Sequence, residues 1–275
     1  MHCMCVPDEG TNHMDSALFM LIDFVDLRME SNEKRDVYYR LSKKHGYRAR
    51  SVYKLMHIDS LHDVFKGASS VVDLCAAPGS WSQYASEKMK SMHKNGISAN
   101  TQQHVVCVDV QDIAPIDGVV CIKEDITSDV CAEKILQCLG GSKADVVICD
   151  GAPEITGLHE IDEYLQSELL VSTLCMCMKI AKHGSSLVAK CFKGIYTPYI
   201  VNHFGKFYDE AMLLKPKASK ATSMECFLYC KGMKNVSENP TDIDTSIECK
   251  EITIHPCGYG ADAGLEYEME EVRAD

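Results

Sequence analysis

The stretch Val71-Val72-Asp73-Leu74-Cys75-Ala76-Ala77-Pro78-Gly79-Ser80-Trp81 decides the architecture. The run from Ser70 to Leu74, with Val71, Val72 and Leu74, predicts a strand. Small residues and a Pro-Gly pair follow it and predict a tight turn, after which Trp81 to Met89 is expected to be helical. A strand that passes through a small-residue turn into a helix is the unit of an open α/β sheet, where ligands sit beyond the carboxyl ends of the strands. Ala76, Ala77 and Gly79 would let a ligand come close to the backbone. The turn holds one glycine only, so it is not the G-x-G-x-x-G fingerprint, and a nicotinamide oxidoreductase is disfavoured.

The pattern repeats along the chain. Further strands are expected at Val105–Val110, Val119–Ile122, Ala144–Cys149 and Ser186–Phe192, with helices at Val130–Leu139, Tyr164–Ala181 and Tyr199–Phe207. Arg35 to Ser60 reads as helix with a break at His45-Gly46, and the polar stretch Lys90–Gln103 as a loop. Two last strands, Met212–Lys215 and Glu225–Tyr229, have no helix between them. The expected fold is therefore α/β, a doubly wound, mostly parallel sheet of seven strands with one antiparallel edge strand. Residues 1–32 are expected to be a disordered extension, with Met29 an alternative start. Residues 33–232 form the domain, and 233–275 an acidic tail.

With 275 residues the chain can bury a core that needs neither disulfide nor metal. Its 15 cysteines make no paired C-x-x-C sets, so no metal site is expected. Cys75, Cys107, Cys149 and Cys191 lie in apolar runs and read as small buried hydrophobes in a reducing, cytoplasmic setting. No run approaches the length of a membrane span. The net charge is −12, yet Lys34 to Lys54 holds eight bases and one acid. The segment from Lys231 to Asp275 holds eleven acids and four bases. Such a distribution is compatible with a local phosphate-binding surface on an acidic body, or with a solvated helix face.

Acids stand at or just after successive strand ends. Asp109 closes the second strand, where a carboxylate can accept hydrogen bonds from a ribose diol. Asp125 follows the third, placed for an amino group of adenine, and Asp150 follows the fourth. Together with the turn they suit a ligand carrying a ribose, an amino group and a cationic sulfonium. Each acid alone could equally be a helix cap or a solvated loop residue.

The run Asp73 to Gln83 resembles the cofactor turn of FtsJ-type RNA 2′-O-ribose methyltransferases. Arg50-Ser-Val-Tyr-Lys-Leu55, Cys149-Asp-Gly-Ala-Pro-Glu-Ile-Thr-Gly157, Val188-Ala-Lys-Cys-Phe-Lys-Gly194 and Lys217 to Glu225 complete the pattern in the same order, covering about residues 34–230. The resemblance implies the Rossmann-like methyltransferase fold, with S-adenosyl-L-methionine as cofactor. It carries the family's Lys-Asp-Lys-Glu tetrad onto Lys54, Asp150, Lys190 and Glu225, with Lys190 as general base. It carries the cofactor contacts onto Gly79, Trp81, Asp109, Asp125 and Asp150. The chemistry calls for such a set. A ribose hydroxyl must lose its proton near the transition state, and a lysine serves as base only where desolvation or a neighbouring cation favours its neutral form. The methyl already carries a good leaving group, so the protein mainly aligns the reacting atoms, and no metal is implied.

Within that family, Lys34-Arg-Asp-Val-Tyr-Tyr-Arg40, Gly46-Tyr-Arg-Ala-Arg50 and the Asp150-Gly-Ala-Pro stretch resemble the eukaryotic anticodon-loop tRNA enzymes. The implied substrates are riboses at the wobble and loop-entry nucleotides of tRNA, reached with an accessory protein that positions the tRNA. Lys217-Ala-Ser-Lys-Ala-Thr-Ser departs from the arginine-rich wording usual before the tetrad glutamate. Ribosomal RNA or an mRNA cap as substrate, and a non-catalytic cofactor- and RNA-binding subunit, are the competing readings.

Overall fold

Residues Val72 and Leu74 of the first strand face one apolar cluster, and Val71 faces another, so the strand is buried on both sides. This is the two-faced burial that a mostly parallel central strand requires. The computed structural model describes residues 31–94, 104–220, 222–236, 240, 243 and 252–257, with side chains from residue 37 onward. The expected extension over 1–30 and most of the expected tail lie outside the described residues.

The described elements run α1 (Ser31–Lys44), α2 (Val52–His62), β1 (Ser70–Leu74), α3 (Ser80–Lys94), β2 (His104–Asp109), β3 (Val120–Lys123) and α4 (Asp129–Cys138). They continue β4 (Ala144–Cys149), α5 (His159–Ile180), β5 (Ala181–Phe192), α6 (Thr197–Phe207), β6 (Tyr208–Pro216), β7 (Glu225–Met233) and β8 (Ile254–Cys257). One sheet has the order β3-β2-β1-β4-β5-β7-β6-β8. The α/β doubly wound class read from the sequence is the class observed. Helices α4, α5 and α6 cover one face with Ile135, Leu174 and Phe204, and α2 and α3 cover the other with Tyr53, Leu55 and Trp81.

Two details of the sheet differ from expectation. Among the described residues it has eight strands rather than seven, and its antiparallel member is not at the edge. Strand β7 runs antiparallel between β5 and β6, because the β6–β7 hairpin folds back and slots its second strand against β5. The outer position is taken by β8, which pairs parallel with β6 in the register Leu213↔Ile254 to Pro216↔Cys257. Its four residues include Pro256, which a sequence reading takes as a strand breaker but which an edge strand tolerates. The Lys217 N–H donates to the Cys257 carbonyl at 3.0 Å, and Cys257 is buried in the core. Part of the stretch read as an acidic tail thus belongs to the sheet.

Strand order reverses between β1 and β4. From β1 the chain goes outward to β2 and β3, then returns to β4 on the other side and continues to β5. Leu74 pairs with Val108 on one side and Cys149 on the other, so the carboxyl ends of β2, β1 and β4 are level. Such a reversal leaves a crevice beyond the strand ends, where ligands bind in open α/β sheets. The turn after β1 and Asp150 after β4 border that crevice.

Candidate active site

Four charged side chains from distant parts of the sequence meet beside the crevice. Lys54 lies on the first turn of α2, Asp150 directly after β4, Lys190 near the end of β5, and Glu225 at the start of β7. Lys190 pairs with Phe227 across the antiparallel ladder, and Glu225 stands two residues from Phe227, hence on the same face. The Glu225 Oε2 lies 2.6 Å from Lys54 Nζ and 3.5 Å from Lys190 Nζ, and Lys190 Nζ lies 3.9 Å from Asp150 Oδ1. All four side chains retain under a fifth of their exposure. Each ammonium also approaches an aromatic ring, Lys54 that of Phe227 at 5.7 Å and Lys190 that of Phe192 at 5.9 Å.

The two carboxylates are tuned apart. Burial pushes Glu225 up, but Lys54 and Lys190, with hydrogen bonds from Lys54 and Ser219, outweigh it and hold the group at about 2. For Asp150 burial dominates, and its carboxyl is raised despite Lys54 and Lys190, with the Glu225 charge adding to the rise. Asp150 Oδ1 is buried without a hydrogen-bond partner among the described residues. An ionisable pair whose environments separate it in this way is a mark of functional sites.

Several neighbours hold the set in place, and the sequence reading did not single them out. Lys215 is buried on β6 and donates to the Ser223 carbonyl, the Ser223 Oγ and the Glu225 carbonyl, which satisfies all three of its N–H groups. Ser219 donates to Glu225 Oε1 at 2.7 Å. Gln166 of α5 donates from Nε2 to the Lys190 carbonyl at 2.8 Å and the Gly151 carbonyl at 3.3 Å, tying together the strand ends that carry Lys190 and Asp150. His57 Nδ1 accepts the Ala218 N–H at 3.4 Å and so supports the loop that carries Ser219. A lysine inside a strand flanked by Leu214 and Pro216 was the one available signal among these; a buried glutamine or histidine leaves none.

The residues expected around the crevice behave differently from one another. Gly79 has φ +103, and a Cβ there would fall 2.6 Å from Ile116 Cδ1, so the turn is a closely approached backbone that only glycine fits. Asp109 is buried and accepts the Ala77 N–H on one oxygen and the Gln111 N–H on the other, both at 2.8 Å, which fixes the turn to the end of β2. Asp125 is exposed and closes its own small turn by accepting the Thr127 N–H and Oγ1–H on Oδ1. The hydrogen bond from the Thr127 backbone, joined by that from its hydroxyl, keeps this carboxyl below its ordinary range. The Asp109–Lys123 register places Asp125 two residues beyond the neighbouring strand end. The Trp81 ring is buried under the turn, with its indole N–H given to the Ser51 carbonyl at 2.9 Å. Its side chain is therefore packed into the core beneath the turn, and its backbone lies in the first turn of α3. Cys107, Cys149 and Cys191 are buried as expected, whereas Cys75 is partly exposed in the turn at φ +54.

The profile of the FtsJ-like methyltransferases matches residues 47–233. A human tRNA (cytidine(32)/guanosine(34)-2'-O)-methyltransferase is 44% identical over 202 residues, which is 74% of this chain and 59% of that protein. A Schizosaccharomyces pombe protein of the same description is 39% identical over 213 residues, 78% of this chain and 75% of that one. The chain thus spans about three fifths of the length of the human relative. Among solved structures, a Plasmodium falciparum chain described as a ribosomal RNA methyltransferase shares the fold, with a TM-score of 0.59 at 23% identity over 68% of this chain and 98% of its own.

Proposed function

Because the chain belongs to the FtsJ-like methyltransferase family, we propose that it transfers a methyl group from S-adenosyl-L-methionine to ribose 2′-hydroxyls of tRNA at positions 32 and 34 of the anticodon loop. The observation that carries this reading is the meeting of Lys54, Asp150, Lys190 and Glu225 beside the crevice at the strand-order reversal. The nucleotide positions are those in the names of the human and fission-yeast relatives.

The crevice suits the cofactor. The glycine turn, packed against Ile113 and Ile116, gives the crevice a fixed border, the Asp109 carboxylate at the end of β2 keeps lone pairs for a ribose diol beyond the two N–H groups it accepts, and the buried Asp150 Oδ1 has a lone pair to offer an amino group or a nearby cation. Asp125 stands at the next strand end for an adenine amino group, and Trp81 contributes through its backbone. The cofactor, when bound, supplies a methyl group on a cationic sulfur that leaves readily. The remaining work falls to side chains of the chain itself. Lys190 Nζ acts as a neutral amine: it first gives up its own proton to solvent and then accepts the proton of the ribose hydroxyl. Glu225, held ionised by both lysines, keeps the two nitrogens in register, and Lys54 balances the negative charge of the carboxylates. Gln166 fixes the backbone on which Lys190 and Asp150 stand. Alignment of oxygen, methyl and sulfur is a major contribution such a site can make.

The net charge of −12 and the short basic stretch support dependence on an accessory protein that positions the tRNA. Among the described residues no helix is long and apolar enough to cross a membrane.

The test is methyl transfer from labelled S-adenosyl-L-methionine to total small RNA, mapped by nucleotide, with cell extract to supply accessory proteins. Label on anticodon-loop riboses that vanishes with Lys190→Ala is the expected result. Label confined to ribosomal RNA or caps overturns the substrate. Cofactor binding without label on any RNA overturns the activity.

A further inference from the structure

Arg48 belongs to the basic stretch whose charges are compatible with a phosphate-binding surface or a solvated face, yet its guanidinium is engaged elsewhere. Nη1 donates to the Pro78 carbonyl at 3.0 Å and the Ala114 carbonyl at 2.7 Å, and Nη2 donates to the Pro115 carbonyl at 2.8 Å. Pro78 is in the turn after β1; Ala114 and Pro115 are at the crest of the loop that joins β2 to β3. One side chain therefore bridges the two segments that border the crevice on the β2 side.

The surroundings make this bridge the middle of a continuous fastening. The loop begins at Asp109, whose carboxylate holds the Ala77 and Gln111 N–H groups. It ends at Asp117, whose carbonyl accepts from Ser86 Oγ at 2.8 Å and Lys90 Nζ at 3.1 Å on α3. Between these ends most residues are exposed; Ile113 and Ile116 are half-buried, and both turn toward Gly79. The Cβ that Gly79 lacks would meet Ile116 Cδ1 at 2.6 Å, Arg48 Nη1 at 3.0 Å and Ile113 Cγ2 at 3.3 Å. Arg48 is itself held, since its N–H donates to Gln83 Oε1 at 3.0 Å while Gln83 Nε2 donates to the Gly46 carbonyl. Arginine suits the position because its planar fork satisfies carbonyls on two segments at once, which the point charge of lysine does less well.

We propose that Arg48 is a positioning residue for the cofactor, clamping the β2–β3 loop against the glycine turn so that Ile113 and Ile116 form one wall of the crevice, and that it does not bind RNA phosphate. This rests on the cofactor reading above and adds to it which residue sets the shape of the pocket.

The experiment measures S-adenosylhomocysteine binding by calorimetry, RNA binding by titration, and steady-state methyl transfer, all with the full chain. The variants are Arg48→Ala, Arg48→Lys and Ile116→Ala, with Lys43→Ala/Lys44→Ala as the surface-charge control. Arg48→Ala is expected to weaken S-adenosylhomocysteine about tenfold and raise KM for the methyl donor to match, from the loss of charge-assisted bonds. RNA affinity and kcat at saturating donor should stay within about twofold, and Arg48→Lys should recover part of the loss. Ile116→Ala leaves the guanidinium bonds in place, so it tests the wall even if Arg48→Ala fails to fold; it too should weaken the ligand several-fold. RNA binding that falls with Arg48→Ala while ligand binding holds would overturn the proposal. Equal ligand binding by wild type and Ile116→Ala would do the same. A wild-type chain that binds no S-adenosylhomocysteine would remove the cofactor reading itself.

Discussion

Lys190 and Glu225 are diagonal neighbours on one face of the β5–β7 ladder, with Nζ and Oε2 3.5 Å apart. The antiparallel placement of β7 creates this contact, because it brings the first residue of β7 alongside the end of β5. Lys54 approaches the same oxygen from α2, so one carboxylate holds two ammonium groups that the sequence separates by more than a hundred residues.

Replacement of Lys190 by Ala should lower kcat by about 10²–10⁴-fold, the range for loss of a general base. S-adenosylhomocysteine affinity should change less than about threefold, since Lys190 touches the carboxylates rather than the glycine turn. Rapid-quench methyl transfer with calorimetry on the same preparation separates the two effects. A variant that keeps a tenth or more of wild-type kcat would remove Lys190 from the base role.

Lys54 and Glu225 form a largely buried pair, with 11% and 15% side-chain exposure. Removing one partner of such a pair should cost about 2–4 kcal/mol in urea denaturation, somewhat less than for complete burial. Lys54→Met combined with Glu225→Gln should cost less than the sum of the two single changes by at least about 1 kcal/mol. Additivity within about 0.5 kcal/mol would show that the contact contributes nothing specific.

Gly79→Ala places a methyl group at φ +103 against Ile116. The backbone cost alone is about 1–3 kcal/mol. The melting temperature should fall and cofactor binding should weaken, because the turn can accommodate the methyl only by moving from the β2–β3 loop. Unchanged binding with a lowered melting temperature would place the strain outside the cofactor pocket.

His57 is buried and its imidazole is lowered to about 3, first by desolvation and then by the Lys217 charge. Unfolded histidine titrates near 6.5, so between about 6.5 and 3 the unfolded chain binds the extra proton and stability falls as pH drops. The slope from this one group is about 1.4 kcal/mol per pH unit. Asp73, raised well above its ordinary range by burial, acts in the opposite sense. The comparison that isolates His57 is therefore wild type against His57→Leu. The variant should be less stable at pH 8, through the unpaired Ala218 N–H, and should lose part of the acid sensitivity between pH 6 and 4. Parallel pH profiles for the two proteins would contradict the buried neutral imidazole.

The central strands were legible because each leaves a local mark, whereas Lys54, Asp150, Lys190 and Glu225 were singled out together only by the family resemblance. Strands buried on both faces carry a nearly continuous apolar run, such as Val71-Val72, Val105–Val108 and Val146–Cys149 in β1, β2 and β4. Lys190 stands out because it ends such a run. Helix α5 begins five residues earlier than its apolar pattern, at His159, where Asp162 accepts from Thr156 and Gly157 and organises the first turn. The place of Arg48 was not legible for a different reason. Charge composition records that a cation is present, but not that three carbonyls already occupy it. Trp81 was placed at the crevice by resemblance, while packing against Phe227 and the bond to Ser51 take its ring below the turn. Strand β8 left no mark at all, being four residues long with a proline inside.

That late strand bears on how the chain is made. Until residues 254–257 leave the ribosome, β6 presents a row of unpaired backbone groups beside apolar Leu213 and Leu214, a template on which a second nascent chain can pair. The chain contains all four proposed catalytic residues by Glu225 but completes its outer border about thirty residues later. Translation that stops in that interval would release a chain with every site residue in place and an open edge prone to aggregation.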